Sequence, residues 1–123
     1  MVIAQRGKPS VTDYEVLATS KQYSWVRFRI HTGRTHQIRI HLQHIGHSLV
    51  CDPLYGDGKP LLLSNIKRNY KLSKNELEER PILGRLALHS YQMTFTLFDQ
   101  SYQLEAPIPK DMRATLKQLE MPL

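Results

Sequence analysis

Between residues 23 and 31 apolar and polar positions alternate. Val26, Phe28 and Ile30 fall on one side, and Trp25, Arg27, Arg29 and His31 on the other. A period of two predicts a strand with one dry face. Residues 11–19 read as a second strand with Tyr14 and Val16 facing one way, and Ser20-Lys21-Gln22 reads as a turn, so the pair is expected to form a hairpin. The first ten residues read as an extended lead-in punctuated by Gly7 and Pro9.

The period then changes. Thr32-Gly33 breaks the strand, and residues 35–45 place Ile38, Leu42 and Ile45 at i, i+4 and i+7, which predicts a helix with a buried apolar stripe. Gly46 is its natural stop. The stretch SLVCDPLYGDGKP, residues 48–60, reads as loop. Residues 61–85 are the least periodic part. They contain SKNELEERP, which reads as a short helix capped by Ser73, with Glu76 at the capping-box position and Pro81 after it. Residues 86–98 are apolar enough for a long strand, 99–101 for a turn and 102–106 for a returning strand. PKDMRATLKQLE closes the pattern as a helix with Pro109 near its start. The fold class is therefore α+β. Its 123 residues bound it to one domain or part of one.

Composition adds a partner class. Lys and Arg number 17 against 11 acids, giving a net charge of +6, a balance suited to a polyanion, most simply nucleic acid. The imbalance is concentrated. From Val16 to Cys51 there is no Asp or Glu, while the same span holds Lys21, Arg27, Arg29, Arg34, Arg39 and five of the six histidines. Cys51 is the single cysteine, which excludes an internal disulfide and a Cys-based zinc site and reads as a small half-buried residue. The N-terminus lacks the apolar run of a signal peptide, and no apolar stretch reaches the roughly 18 residues of a membrane span, so the expected compartment is the cytosol and no membrane partner is expected.

The central helix carries the candidate chemistry. Arg34 stands at its start, where the helix dipole opposes a cation and a bound anion would reverse the penalty. Phosphate or a carboxylate is the expected partner. Arg39 lies about 60° from Leu42 around the helix, at the edge of the apolar stripe. A guanidinium there is partly desolvated and calls for an acid, unless it snorkels to water. Asp52, Asp57 and Glu105 are acids farther along the chain that could serve. His36, in the first turn, reads as orienting that turn through backbone hydrogen bonds. His41 and His44, three apart, share a face, but with no His-Glu-x-x-His pattern and no cysteine pair a zinc site is not expected. No nucleophile–base constellation and no phosphate-cradling glycine loop is legible.

The string GRTHQIRIHLQHIGHSLVCDPLYG, residues 33–56, closely resembles a signature of the RluA-type RNA pseudouridine synthases. That signature runs Gly-Arg-Thr/Ser-His-Gln-Ile/Leu-Arg-x-His, then Gly-His-Pro-Ile-x-Gly-Asp-x-x-Tyr-Gly. GKPSVTDYEVL and LALHSYQMTFTLF…LEAPIPKDM resemble flanking stretches of the same family. Ser48 stands where Pro is usual and Cys51 where Gly is usual. The resemblance implies a mixed, mostly antiparallel sheet with flanking helices around an RNA cleft. It implies an isomerase that detaches a flipped-out uridine base from its sugar and rejoins it through C5, in ribosomal or transfer RNA, with no cofactor and no metal. It assigns Arg39 as partner of the catalytic Asp, and Arg34, His36 and Gln37 as residues shaping the cleft, with Arg27 and Arg29 adding to an RNA-binding face.

The family's catalytic Asp belongs to a His-Arg-Leu-Asp string, and this sequence contains none. Tyr55 does not correspond to the family's catalytic Tyr, which lies upstream. The expectation is therefore that residues 1–123 form the C-terminal portion of a catalytic domain, inactive alone, with the missing N-terminal half as a partner. The alternatives are a non-catalytic basic RNA-binding domain, and an assembly partner whose exposed sheet edge pairs with another chain.

Overall fold

The structure, a computed structural model, describes residues 2–5, 8–20, 22–30, 36–66 and 80–122. Its elements are β1 (Val2–Gln5), β2 (Lys8–Ser20), β3 (Tyr23–Ile30), α1 (Gln37–His44), a 3-10 turn (Leu63–Asn65), β4 (Gln92–Leu97), β5 (Gln100–Glu105) and α2 (Lys110–Gln118). A three-stranded sheet runs β1-β2-β3 and a two-stranded one β4-β5, with every pairing antiparallel among the described residues. The class is α+β, as the residue pattern implies. The short helix expected to begin at Ser73 lies outside the described residues.

The β2–β3 hairpin forms where alternation predicts it, with Tyr14 opposite Phe28 and Val16 opposite Val26, and a bulge between Val16 and Ala18. The bulge takes Leu17 out of pairing and brings Ala18 opposite Trp25. The face expected to be dry is covered in part: Thr12 is fully buried and Val26 and Phe28 are half-buried, while Tyr14, Val16 and Ile30 are exposed. Arg27 and Arg29, on the alternate positions, are exposed as the pattern implies. Beyond the bulge, Ala18, Tyr23 and Trp25 pack against the core.

The core itself comes mostly from segments without regular structure. Cys51, Leu61, Ile66 and Leu83 are buried with Met112, Leu116, Leu119 and Met121 of α2 and its exit. An isolated antiparallel bridge joins Leu61 to Leu83, through Leu61 N–H to the Leu83 carbonyl at 2.8 Å and Leu83 N–H to the Leu61 carbonyl at 3.3 Å, and the Ile82 N–H also donates to the Leu61 carbonyl at 2.9 Å. Arg85 holds Asp111 of α2 in a two-bond ion pair at 2.8 and 2.9 Å, fixing the helix against this crossing. Cys51 is fully buried rather than half-buried.

The long strand expected over 86–98 is shorter. Pairing begins only at Gln92, opposite Glu105 where β5 ends: one further bond runs from the Ala106 N–H to the Tyr91 carbonyl at 2.8 Å, Pro107 then has no N–H to give, and farther back the Ala87 N–H donates to the Val50 carbonyl at 3.0 Å. The turn also falls earlier than expected. Leu97 pairs with Gln100, and the two residues between, Phe98 and Asp99, have φ of 47° and 60°. This is the primed two-residue turn that suits strand twist, made without the glycine that usually announces it.

Both helices end alike. In α1 the Gly46 N–H donates to the Gln43 carbonyl at 3.0 Å and the His47 N–H to the Leu42 carbonyl at 2.9 Å. In α2 the Glu120 N–H reaches the Lys117 carbonyl at 3.0 Å and the Met121 N–H the Leu116 carbonyl at 2.9 Å. These are paired Schellman closures with the C′ residue left-handed, at φ 80° for Gly46 and 58° for Glu120. A side chain at such a φ costs about 1–2 kcal/mol. Gly46→Ala is therefore expected to destabilise, and Glu120→Gly to stabilise, each by about 1 kcal/mol, because the glycine's greater unfolded-state freedom offsets part of the strain. Urea unfolding of the two variants, with unchanged denaturant slope, measures both signs.

Candidate functional site

The helix α1 buries a different face from the one its apolar spacing predicts. Its fully buried residues are Gln37 and His41, at i and i+4, while Ile45 is exposed and Ile38 and Leu42 are half-buried. The physical reason is hydrogen bonding. Gln37 Nε2 donates to the Val11 carbonyl at 2.7 Å and to Thr12 Oγ1 at 2.9 Å, and Thr12 is completely buried. A satisfied amide can occupy the interface that an unsatisfied one could not. His41 is buried, and its Nδ1 has no hydrogen-bond partner among the described residues. Burial holds its pKa below the usual imidazole value, and His44 nearby acts in the same direction.

On the opposite side of the helix from that face, Arg39 meets Asp52. Its Nε donates to Oδ2 at 3.0 Å and its Nη2 to Oδ1 at 2.7 Å. The Asp52 side chain is fully buried and that of Arg39 is 13% exposed. Of the three acids that could have served, Asp52 is the partner. Asp52 Oδ1 also accepts the backbone N–H groups of Leu54 at 3.0 Å and Tyr55 at 3.1 Å. The Arg39 hydrogen bonds, with these backbone N–H groups behind them, pull the Asp52 pKa to about 2 against the opposing effect of burial. The same pair raises the Arg39 pKa. Only the side-on edge of the guanidinium is used. Among the described residues no other acceptor is bonded to Arg39, so the end-on edge of its fork is open.

Tyr55 completes the arrangement. The Arg39 guanidinium lies over its ring, 5.1 Å from the centroid. Its hydroxyl is 3.0 Å from His36 Nδ1, and the two rings meet edge-on at 5.6 Å. His36 therefore holds Tyr55 through its side chain, and orients the turn only in that its carbonyl accepts the Ile40 N–H at 2.9 Å. The loop that presents Asp52 and Tyr55 is closed by the Ser48 hydroxyl, which donates to the Tyr55 carbonyl. Gly56 packs so closely that a Cβ there would meet the Asp52 carbonyl at 3.1 Å. Cys51 adopts φ 63°, the left-handed conformation that explains why glycine is usual at this place in the resembling signature.

The remaining expected residues are placed as follows. Arg34 lies outside the described residues. Arg27 is exposed and paired across the strands with Glu15, and Arg29 stands opposite Asp13 in the register. Neither is bonded to the α1 group. The structure thus brings together His36, Gln37 and Arg39 on one helix, and adds Asp52, Tyr55 and Ser48. The sequence held one signal for the loop: Asp-Pro opening DPLY is a turn start whose carboxylate caps the next N–H groups. Among the described residues no group of three or more His, Cys, Asp or Glu side chains is placed to hold a metal ion.

Two pH steps follow. His41 has a folded pKa below the unfolded value of about 6.5, so its contribution is intact above that pH and is lost as the unfolded chain takes up a proton. Asp52 is depressed from about 3.9 to about 2, so its contribution of about 2 kcal/mol is present above pH 4 and disappears between pH 4 and 2. Urea unfolding across pH 8 to 2 is expected to show both declines. His41→Leu should flatten the first and Asp52→Asn the second. At neutral pH, Asp52→Asn should cost roughly 3–5 kcal/mol, since it strands a largely buried guanidinium.

Comparison with known proteins places this geometry. The family model described as RNA pseudouridylate synthase matches residues 1–44, which ends with the last residue of α1. A protein of Chlorobaculum parvum named as an uncharacterized RNA pseudouridine synthase is 36% identical over 115 residues, covering 92% of this chain and 34% of its own length. Ribosomal large subunit pseudouridine synthase D of Neisseria meningitidis is 34% identical over 122 residues, covering 98% of this chain and 30% of its own. The Escherichia coli protein of that name is 35% identical over 114 residues, covering 91% and 33%. This chain spans about a third of the length of these curated relatives. It belongs to the RNA pseudouridine synthase family.

Proposed function

We propose that this chain forms part of an RNA pseudouridine synthase, an isomerase acting on uridine in ribosomal or transfer RNA in the cytoplasm, and that Arg39 holds the catalytic Asp. One observation carries the reading: Arg39 is fixed on its side-on edge by Asp52 and on its flat face by Tyr55, with its end-on edge unspent. A second carboxylate fits that edge through two parallel hydrogen bonds. The guanidinium would keep such an Asp ionised and aimed at a flipped uridine, and the chemistry needs no metal or cofactor. His36, through Tyr55, would hold the site's other wall, Gln37 would hold the helix in register on β2, and Arg34 would take a backbone phosphate.

The 123 residues contain no His-Arg-Leu-Asp string, so by themselves they should not turn over. Two bare apolar faces support a further polypeptide partner. Tyr14, Val16 and Ile30 are exposed on the first sheet, and Met93, Phe95, Leu97 and Leu104 on the second. We read these faces as packing sites for polypeptide equivalent to the relatives' remaining length, which on the family pattern carries the catalytic Asp. No helix among the described residues is long and apolar enough to cross a membrane.

The two-bond Asp52 pair also favours a second reading, a non-catalytic basic RNA-binding domain in which Arg39 is purely structural. One experiment separates them. In a chimera this chain replaces the matching third of the Chlorobaculum parvum relative. Single-turnover rate and RNA affinity are then measured for Arg39→Ala, Arg39→Lys and Arg34→Ala. Arg39→Ala is expected to lower the rate by about two to four powers of ten, equivalent to roughly 3–5 kcal/mol. Lys should restore little, because a point charge lacks the fork. Arg34→Ala should mainly weaken RNA affinity. The isolated chain should show no turnover. A folded Arg39→Ala chimera with near-normal rate would leave only the structural reading.

A further inference from the structure

A second cationic feature lies outside the α1 site. Lys110, Arg113 and Lys117 are spaced i, i+3 and i+7 on α2 and share one exposed face. With Ala114 and Met121 they line a shallow open groove. None of the three forms an ion pair with a described residue. The helix's own acid, Asp111, is about 100° away around the axis and is held by both bonds of Arg85. Glu120, just past the helix end, does not line the groove.

Local stability does not account for this arrangement. Lys110 is the first helical residue, where the dipole opposes a cation. Lys110 with Arg113, and Arg113 with Lys117, are like-charged neighbours at the two spacings where repulsion is felt. Only Lys117, in the last turn, is favoured by the dipole. A polyanion in the groove would reverse each of these penalties. The floor is small and apolar, so a chain of phosphates and sugars can approach the helix closely. The seven-residue rise from Lys110 to Lys117 is about 10 Å, long enough for the three cations to meet successive phosphates of one strand.

We propose that the α2 groove binds the sugar–phosphate backbone of RNA, as a contact made by residues distinct from those of the α1 site. Lys110, Arg113 and Lys117 each neutralise a phosphate, and the groove reads no bases. The inference rests on RNA being the partner of this chain and not on catalysis.

The test uses the 123-residue chain and a ribosomal RNA stem-loop transcript, with affinity measured from low to physiological salt. Because all three side chains are exposed, Lys110→Gln/Arg113→Gln/Lys117→Gln should retain the parent's circular dichroism. It is expected to bind at least about tenfold more weakly at low salt and to show a log–log salt slope shallower by about two to three. An unrelated stem-loop should suffer the same loss, since phosphates carry no sequence. Lys110→Arg/Lys117→Arg should keep both affinity and slope. Unchanged affinity and slope in the folded triple variant would overturn this proposal alone. No binding of RNA by the unsubstituted chain at low salt would overturn it together with the RNA-binding reading. Anionic vesicles that bind more tightly than the transcript, with the same dependence on these residues, would assign the groove to a membrane surface and also overturn it.

Discussion

A carboxylate taken wholly out of water is unfavourable unless its charge and its lone pairs are met. Asp52 is fully buried, and it is met by two donors of Arg39 and by the N–H groups of Leu54 and Tyr55. Much of the fold hangs from that arrangement. On one side, Arg39 belongs to α1. On the other, Asp52 follows Cys51, which is in the core with its thiol against the Leu83 carbonyl at 3.4 Å, and Val50, whose carbonyl takes the Ala87 N–H. The ion pair therefore joins the helix to the core through a loop that has no regular structure of its own. Apolar packing does not do this for α1, whose fully buried side chains are an amide and an imidazole.

This explains which parts were legible in the residues and which were not. The β2–β3 hairpin, the closing helix and the stop at Gly46 are local features, set by alternation, a proline and a glycine, and they stand close to where those signals put them. The α1 face was misjudged because amphipathic spacing counts Gln37 and His41 as polar and so as outward. Gln37 is inward because β2 offers it two acceptors, the Val11 carbonyl and Thr12 Oγ1, 26 and 25 residues away in sequence. The core around Leu61, Ile66 and Leu83 was illegible for a similar reason. One bridge and a few long-range hydrogen bonds order it, and none leaves a period in the chain. The turn expected over 99–101 falls one residue earlier because Phe98, a residue that does not advertise a positive φ, takes the first turn position.

The acid-free span from Val16 to Cys51 concentrates cations along the chain, and the structure matches some of them with acids from outside it. Arg27 is matched by Glu15, which precedes the span by a single residue and reaches it across the hairpin. Arg39 is matched by Asp52, which follows the span by a single residue. Charge counted along the chain therefore overstates charge presented to a partner, because strand pairing and loop return bring the flanking acids back. A cation becomes available to an external anion only where the fold leaves it without such a neighbour. On Arg39 that is one edge of the fork and not the whole group.

On the proposed role of Arg39, sharing one guanidinium between folding and chemistry would demand that it be held without being saturated. The backbone around it is strained in a way consistent with that demand. His36, entering α1, has φ 54°, and Cys51, entering the Asp52 loop, has φ 63°. Neither is glycine, and left-handed residues of this kind cost about 1–3 kcal/mol each, persisting only where the surroundings over-determine them. Here the surroundings are the ion pair, the Tyr55 ring under it and the His36–Tyr55 contact, which close a circuit from helix start to loop and back. Within that circuit a displacement of His36 moves Tyr55, and a displacement of Tyr55 frees the face of Arg39. A lysine at position 39 would leave Asp52 a charge but no fork, and Tyr55 no plane on which to stack. What the local strain secures is the direction of a single planar group, and a planar group with one edge fixed can present the other edge in only one direction.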